Sequence, residues 1–308
     1  VGNTTLNCQG QTSTFIIKFM DNIARSVLRD KIKSLKATYF QDGLDKIFLV
    51  IYEDRFTRIK QKHDQGSDGI IDNNTIIAAY APENYSLSDF KKKVGSDYKS
   101  YEENWIKTHP CWMVVTNLEL LSSMQKYVDG LKSNSKTLCI EGIVELIRKQ
   151  TWSKINLIFQ SLDIPAHYLS NDVVGTVIED LINVSDNETK IAPYQKPIYI
   201  EEKAEINLSD EEYDAFIDEY EEFLQLFSLM KNIIQNQEPK SIQALRTKIR
   251  NTFNSTKGEF SSRLNTTCEI LASQKYNDDY YMYHMRAVLF YFFEQCLFGK
   301  RTSEEKRV

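Results

Sequence analysis

The chain has 308 residues, 42% of them hydrophobic and 26% charged, with a formal net charge of −5. That composition excludes disorder over most of the length, and the length suits two domains with real cores. The charge excludes a globally basic nucleic-acid binder, so phosphate contact needs a local basic face. The longest apolar runs, such as Ile47 to Tyr52, fall far short of the roughly 20 residues a membrane-spanning helix needs.

No basic stretch followed by an apolar run opens the sequence, so the cytoplasm is the expected compartment. Cys8, Cys111, Cys139, Cys268 and Cys296 form no CxxC pair, and His63, His109, His167 and His284 are not spaced as ligands. A disulfide framework and a zinc site are therefore not expected, and any metal is expected on carboxylates.

In chain order, Phe15 to about Lys36 reads as an amphipathic helix, with Phe15, Phe19, Ile23 and Val27 at helical spacing. Its polar positions are mostly basic: Lys18, Arg25, Arg29, Lys31, Lys33 and Lys36 against Asp21 and Asp30. Lys46 to Tyr52 and Phe56 to Lys62 read as two strands joined at Glu53-Asp54-Arg55. Gly66-Ser67-Asp68-Gly69 breaks the pattern, and Thr75 to Ala81 reads as a third strand stopped by Pro82.

Helix is expected from Ser86 to about Trp105, strand over Trp112 to Thr116, helix over Leu118 to Leu131, strand over Thr137 to Ile140, and helix from Gly142. The sum is a mixed α/β domain over residues 1–150, with part of the sheet parallel. Residues 151–207 read as a helical connector and a linker, because Val184 to Asn207 is polar and holds Pro193 and Pro197. Residues 208–308 read as an all-α domain. It opens on a capping box at Ser209-Asp210-Glu211-Glu212 and ends on a helix, Tyr280 to Phe298, that is apolar nearly all round. Such a helix calls for a central place in its own domain or for a partner surface. Between Glu201 and Met230 stand eleven acidic residues and one basic residue.

The segment most suggestive of chemistry runs from Lys60 to Pro82. An aspartate at the end of one strand, followed by Glu/Gln-x-Lys on the next, lets two acids grip Mg²⁺ while a lysine orients water. Gly66-Ser67-Asp68-Gly69 ahead of an apolar strand resembles that layout in metal-dependent nucleases of the restriction-endonuclease-like superfamily. The place of Glu/Gln-x-Lys is held by Ala78-Ala79-Tyr80. Lys60, Lys62 or the Lys91-Lys92-Lys93 run then becomes the substitute lysine, and Glu53, Asp54 or Asp64 the second acid. The same tetrapeptide also reads as an ordinary tight turn. GxxxxGK[ST] and GxSxG are absent, so the chain carries neither of those nucleotide-binding and hydrolase signatures.

A second resemblance rests on the Asp68 tetrapeptide, Tyr80-Ala81-Pro82, Phe90-Lys91-Lys92-Lys93-Val94, Asp97-Tyr98, Trp105 and Trp112 to Asn117. To these the tail adds Tyr291-Phe292-Phe293-Glu294-Gln295-Cys296-Leu297-Phe298-Gly299. Together they resemble a subunit of the bacterial ABC-three-component antiphage defence systems. The resemblance implies a restriction-endonuclease-like α/β domain joined to an all-α assembly domain. It implies a hetero-oligomer with an SMC-like ATPase and a small middle subunit, away from the membrane. If the first domain is active, it implies Mg²⁺ on Asp68 and Asp64, with Lys60 or Lys62 near the scissile phosphate. DNA is then expected along the first helix and Lys91, Lys92 and Lys93, since affinity through counterion release needs clustered cations. The alternative is a non-catalytic scaffold that keeps a degenerate nuclease fold.

Overall fold

The computed structural model describes residues 23–59, 66–131, 134–185 and 199–300. Twelve α-helices and five strands lie within them. Helix α1 (Ile23–Ser34) buries Ala24, Leu28 and Ile32, the i, i+4, i+8 stripe of an amphipathic helix. The expected start of that helix, with Phe15 and Phe19, lies outside the described residues.

The next element corrects the sequence reading. Lys46 to Tyr52 is the second half of helix α2 (Ala37–Tyr52), not a strand. Its buried positions Phe40, Leu44, Ile47, Phe48 and Ile51 follow helical spacing. The helix buries so broad a face that its last turns read as a continuous apolar run, which periodicity alone cannot tell from a strand. Strand β1 (Phe56–Arg58) is correspondingly short. Strand β2 (Gly69–Ile71) was not expected at all; it pairs antiparallel with β1 and with β3 (Thr75–Tyr80). The tight link from β2 to β3 uses Asp72 and Asn73, with φ of 53° and 49°, and Asn74 N–H donates to Ile71 O at 3.0 Å. Asp and Asn are the non-glycine residues that best tolerate left-handed backbone.

From β3 onward the elements agree with the expectation apart from their ends. Helix α3 (Leu87–Asn104) starts at Ser86, whose hydroxyl accepts from Asp89 N–H at 3.0 Å. It crosses to β4 (Cys111–Thr116), parallel to β3, and helix α4 (Ser122–Asp129) crosses to β5 (Ser135–Leu138), parallel to β4. The sheet order is β1-β2-β3-β4-β5. Side chains alternate across it with the period of two that a strand imposes. Ile76, Ala78, Tyr80, Trp112 and Val114 face one way, into a cluster with Phe90, Val94, Tyr98 and Tyr101 of α3 and Met124 and Val128 of α4. Ile77, Ala79, Met113 and Val115 face the other way, toward α1, α2 and α5 (Ile140–Arg148).

This second face does not end at the α/β layers. Its cluster continues through α6 (Trp152–Ser161) and α7 (His167–Asn183) into the helices beyond residue 199. The stretch expected as linker carries helix α8 (Ile200–Asn207), whose Lys203 is fully buried with its ammonium donating to Phe293 O. Helix α9 (Asp210–Gln235) opens on the Ser209–Glu212 capping box, and α10 (Pro239–Ser255) and α11 (Phe260–Ala272) follow.

Helix α12 (Asp279–Glu294) is packed by α6, α7, α9 and α11, and Tyr281, Met285, Val288, Leu289, Phe290, Phe292 and Phe293 are all buried. Of its two sequence-level explanations, the central place holds. Asp278 caps α12 through Tyr281 N–H and also accepts from Trp152 N–H (2.5 Å), Ser153 N–H (3.0 Å) and Ser153 Oγ–H (2.6 Å). One carboxylate thus satisfies the first amides of two helices that lie 125 residues apart in sequence. No helix among the described residues is long and apolar enough to cross a membrane.

Candidate functional site

The glycines that bracket Asp68 have local packing reasons. Gly66 has φ +79°, and a Cβ there would meet Ser100 Cβ at 2.8 Å and Asp97 O at 2.9 Å, so the loop lies directly against α3. At Gly69 a Cβ would stand 2.7 Å from the Phe56 ring across the β1–β2 ladder. Between them the chain turns from α3 toward β2, and Asp68 N–H donates to Ile77 O at 2.7 Å to open the pairing with β3.

The half-buried Asp68 side chain then reaches both β3 and α2. Ala79 N–H donates to its Oδ2 at 2.6 Å, and Gln41 Nε2–H on α2 donates to its Oδ1 at 2.7 Å. A carboxylate taking one strand amide and one helix amide holds the helix against the sheet.

Around this link lies a cluster that the sequence reading missed. Asp42 and Asp45 follow Gln41 on α2, and Arg58 projects from β1 toward both. The guanidinium reaches Asp42 Oδ1 with Nη2 at 2.7 Å and Asp45 Oδ2 with Nε at 2.5 Å. Asp45 is 4% exposed, and burial pushes its carboxyl up to about 6. Arg58 opposes that rise, while Asp42 and Asp68 add to it by like-charge repulsion. The Nε contact is close but poorly aligned as a hydrogen bond, which fits an ion pair that offsets only part of the desolvation. The signal for this cluster was Gln41, Asp42 and Asp45 standing among helically spaced apolar residues. Reading the following run as a strand hid it.

Of the residues singled out from sequence, Lys60, Lys62 and Asp64 lie outside the described residues. Glu53 faces α6, 2.6 Å from Lys154 Nζ, whose hydrogen bond holds its carboxyl below the usual range. Asp54 is exposed on the turn after α2.

Lys91, Lys92 and Lys93 are exposed on α3, which covers the Ile76, Ala78 and Tyr80 face of the sheet, whereas Asp68 engages α2 on the other. Lys93 Nζ pairs with Asp97 at 2.6 and 2.8 Å, and Lys91 Nζ lies 5.7 Å from the Tyr127 ring centroid. The basic positions of α1 are also engaged. Arg25 reaches Glu141 and Glu145 at 3.1 and 3.3 Å, and Arg29 reaches Glu141 at 2.6 Å and Glu119 at 2.5 Å. The hydrogen bond from Arg29 is the main reason the Glu141 carboxyl sits below its usual range. Much of the cationic stripe seen in the sequence is neutralised where α1 meets α5.

Among the described residues, no group of three or more His, Cys, Asp or Glu side chains converges to hold a metal ion. Three comparisons leave the geometry to stand alone: no family model, no curated protein and no solved structure matches this chain.

Proposed function

We propose that the chain is a non-catalytic assembly subunit of a bacterial antiphage defence complex of the ABC-three-component kind, in which a nuclease-like α/β unit is kept as a scaffold. The order α2, β1, β2, β3, α3, β4 supports a restriction-endonuclease-like core, as does the placing of Asp68 where β2 begins. The observation that carries the non-catalytic reading is on β3. Where that kind of site needs an acid and a lysine, β3 presents Ala78 and Ala79, and the Ala79 amide is itself a donor to Asp68.

The partner-facing surface in this reading is the outer side of α8 and α9. Glu201, Glu202, Glu205, Asp210, Glu211, Asp214, Asp218, Glu221 and Glu222 are exposed there. The lone basic residue of the stretch, Lys203, is buried and cannot offset them. The apolar circumference of α12 is not part of this surface, because its own chain covers it.

The test is co-purification of the full chain with the SMC-like ATPase and middle subunit from its own source, followed by incubation with plasmid and Mg²⁺. Reversing Asp214, Asp218 and Glu221 to Lys together should abolish assembly without unfolding the chain. Plasmid nicking lost in Asp68→Ala would establish the endonuclease reading instead, and assembly indifferent to the charge reversal would remove the acidic face from the account.

A further inference from the structure

The nuclease resemblance implies a divalent cation at Asp68, and the residues present do not fit one. Mg²⁺ needs one or two carboxylates presented to a space that still admits several waters in octahedral array. Here the nearest acid with like-charge influence on Asp68, Asp45, is sealed from water with its side chain 6% exposed and is turned to Arg58. Asp68 has one hydrogen bond on each oxygen, from Gln41 and from Ala79 N–H, and β3 adds only Ile77, Ala78 and Ala79 beside it. The cation actually built into the cluster is a side chain. Arg58 lies across Asp42 and Asp45 with different nitrogens directed at each, the forked geometry that lets one guanidinium serve two carboxylates.

We propose that Arg58 takes the place of the metal: its guanidinium is the fixed counter-ion of the Asp42–Asp45 pair, and Asp68 serves as a latch from β2 to α2 rather than as a metal ligand. This rests on the nuclease-like reading and sharpens it, since it says which group replaced the cation. Arginine keeps its charge throughout the physiological range, so the neutralisation needs no metal supply. An ammonium at the same place lacks the fork and reaches one carboxylate at a time.

The probe is Mn²⁺, titrated into the full-length chain alone and followed by loss of the free-ion electron paramagnetic resonance signal. The wild type is expected to show no binding that Asp68→Asn removes. Thermal denaturation supplies the second measurement. Arg58→Met should lower Tm by leaving Asp45 buried and unpaired, and adding Asp45→Asn should restore more than half of the loss, because the buried charge goes with it. Mn²⁺ binding abolished by Asp68→Asn overturns the proposal, and so does a Tm loss in Arg58→Met that Asp45→Asn leaves unchanged. The outcomes separate from those of the function test. Mn²⁺ bound at Asp68 in a chain that assembles and does not cut DNA sinks only this inference, whereas failed assembly with a silent titration sinks only the assembly role.

Discussion

The two faces of the sheet are built on different plans. The face under α3 and α4 is closed by those two helices alone, with Phe90, Tyr98, Tyr101 and Trp112 at its centre and edge-to-face contacts such as Tyr98–Trp112 at 5.2 Å. The face under α1, α2 and α5 is one side of a core that runs on to Phe298. The first needs only local chain: every residue of its cluster falls between Ile76 and Val128. The second is assembled from segments far apart in sequence, joined at points such as Asp278, where α6 and α12 share a cap. Local closure makes a unit that can loosen by itself, and long-range closure makes one that holds or fails together.

The strongest way to break this comparison is to open a cavity on each side. Phe290→Ala removes a fully buried ring from the long-range core and should cost about 3–5 kcal/mol. Hydrogen exchange should then accelerate from α1 through α12. Trp112→Ala should cost a similar amount, about 3–5 kcal/mol, with a small rebate because its buried Nε1–H has no hydrogen-bond partner. Its exchange changes should stay within α3, α4 and the strands; spread into α9 or α12 would refute two separate plans.

Acid probes the long-range core alone. His284 is 1% exposed, its Nδ1–H donates to Tyr280 O at 2.8 Å, and burial drives its pKa down to about 4 from 6.5. Between those two values the unfolded chain binds a proton that the native chain refuses, so native stability falls as pH drops from 6.5 toward 4. Once pH is below 4 the loss amounts to about 3 kcal/mol, at roughly 1.4 kcal/mol per pKa unit. His284→Gln should flatten this limb in urea titrations run across the range, and an unchanged slope would assign the acid loss to carboxylates.

Asp278→Ala should cost about 2–3 kcal/mol by leaving the amides of Trp152 and Ser153 without their acceptor. Exchange should rise first at the starts of α6 and α12, with α3 and α4 untouched. The smallest effect belongs to the rim of the long-range face. Arg29→Ala breaks partly exposed pairs with Glu119 and Glu141 and should cost about 0.5 kcal/mol, less at high salt. A loss above about 2 kcal/mol would mean that the α1–α5 contact is held by charge rather than by Leu28 and Ile32.

The amino-acid sequence by itself determined the elements whose signals are local. Ser86 ahead of α3, the Ser209–Glu212 box ahead of α9 and Asp278 ahead of α12 are each legible because a cap pairs with amides at most three residues away. The runs that became β3 and β4 are legible because β-rich residues are bounded by turn and proline signals. Asp68 stood out for its glycines, yet their reasons, Ser100 behind Gly66 and Phe56 behind Gly69, exist only once the loop meets α3 and β1. Only tertiary structure decided that Lys46 to Tyr52 coils, since an apolar run takes its form from the surface it packs on, here the sheet on one side and α6 on the other. It likewise decided that Arg25 and Arg29 meet acids from α5, and that Arg58 meets Asp42 and Asp45. Charge pairing depends on distance through space, and neither spacing nor composition carries it.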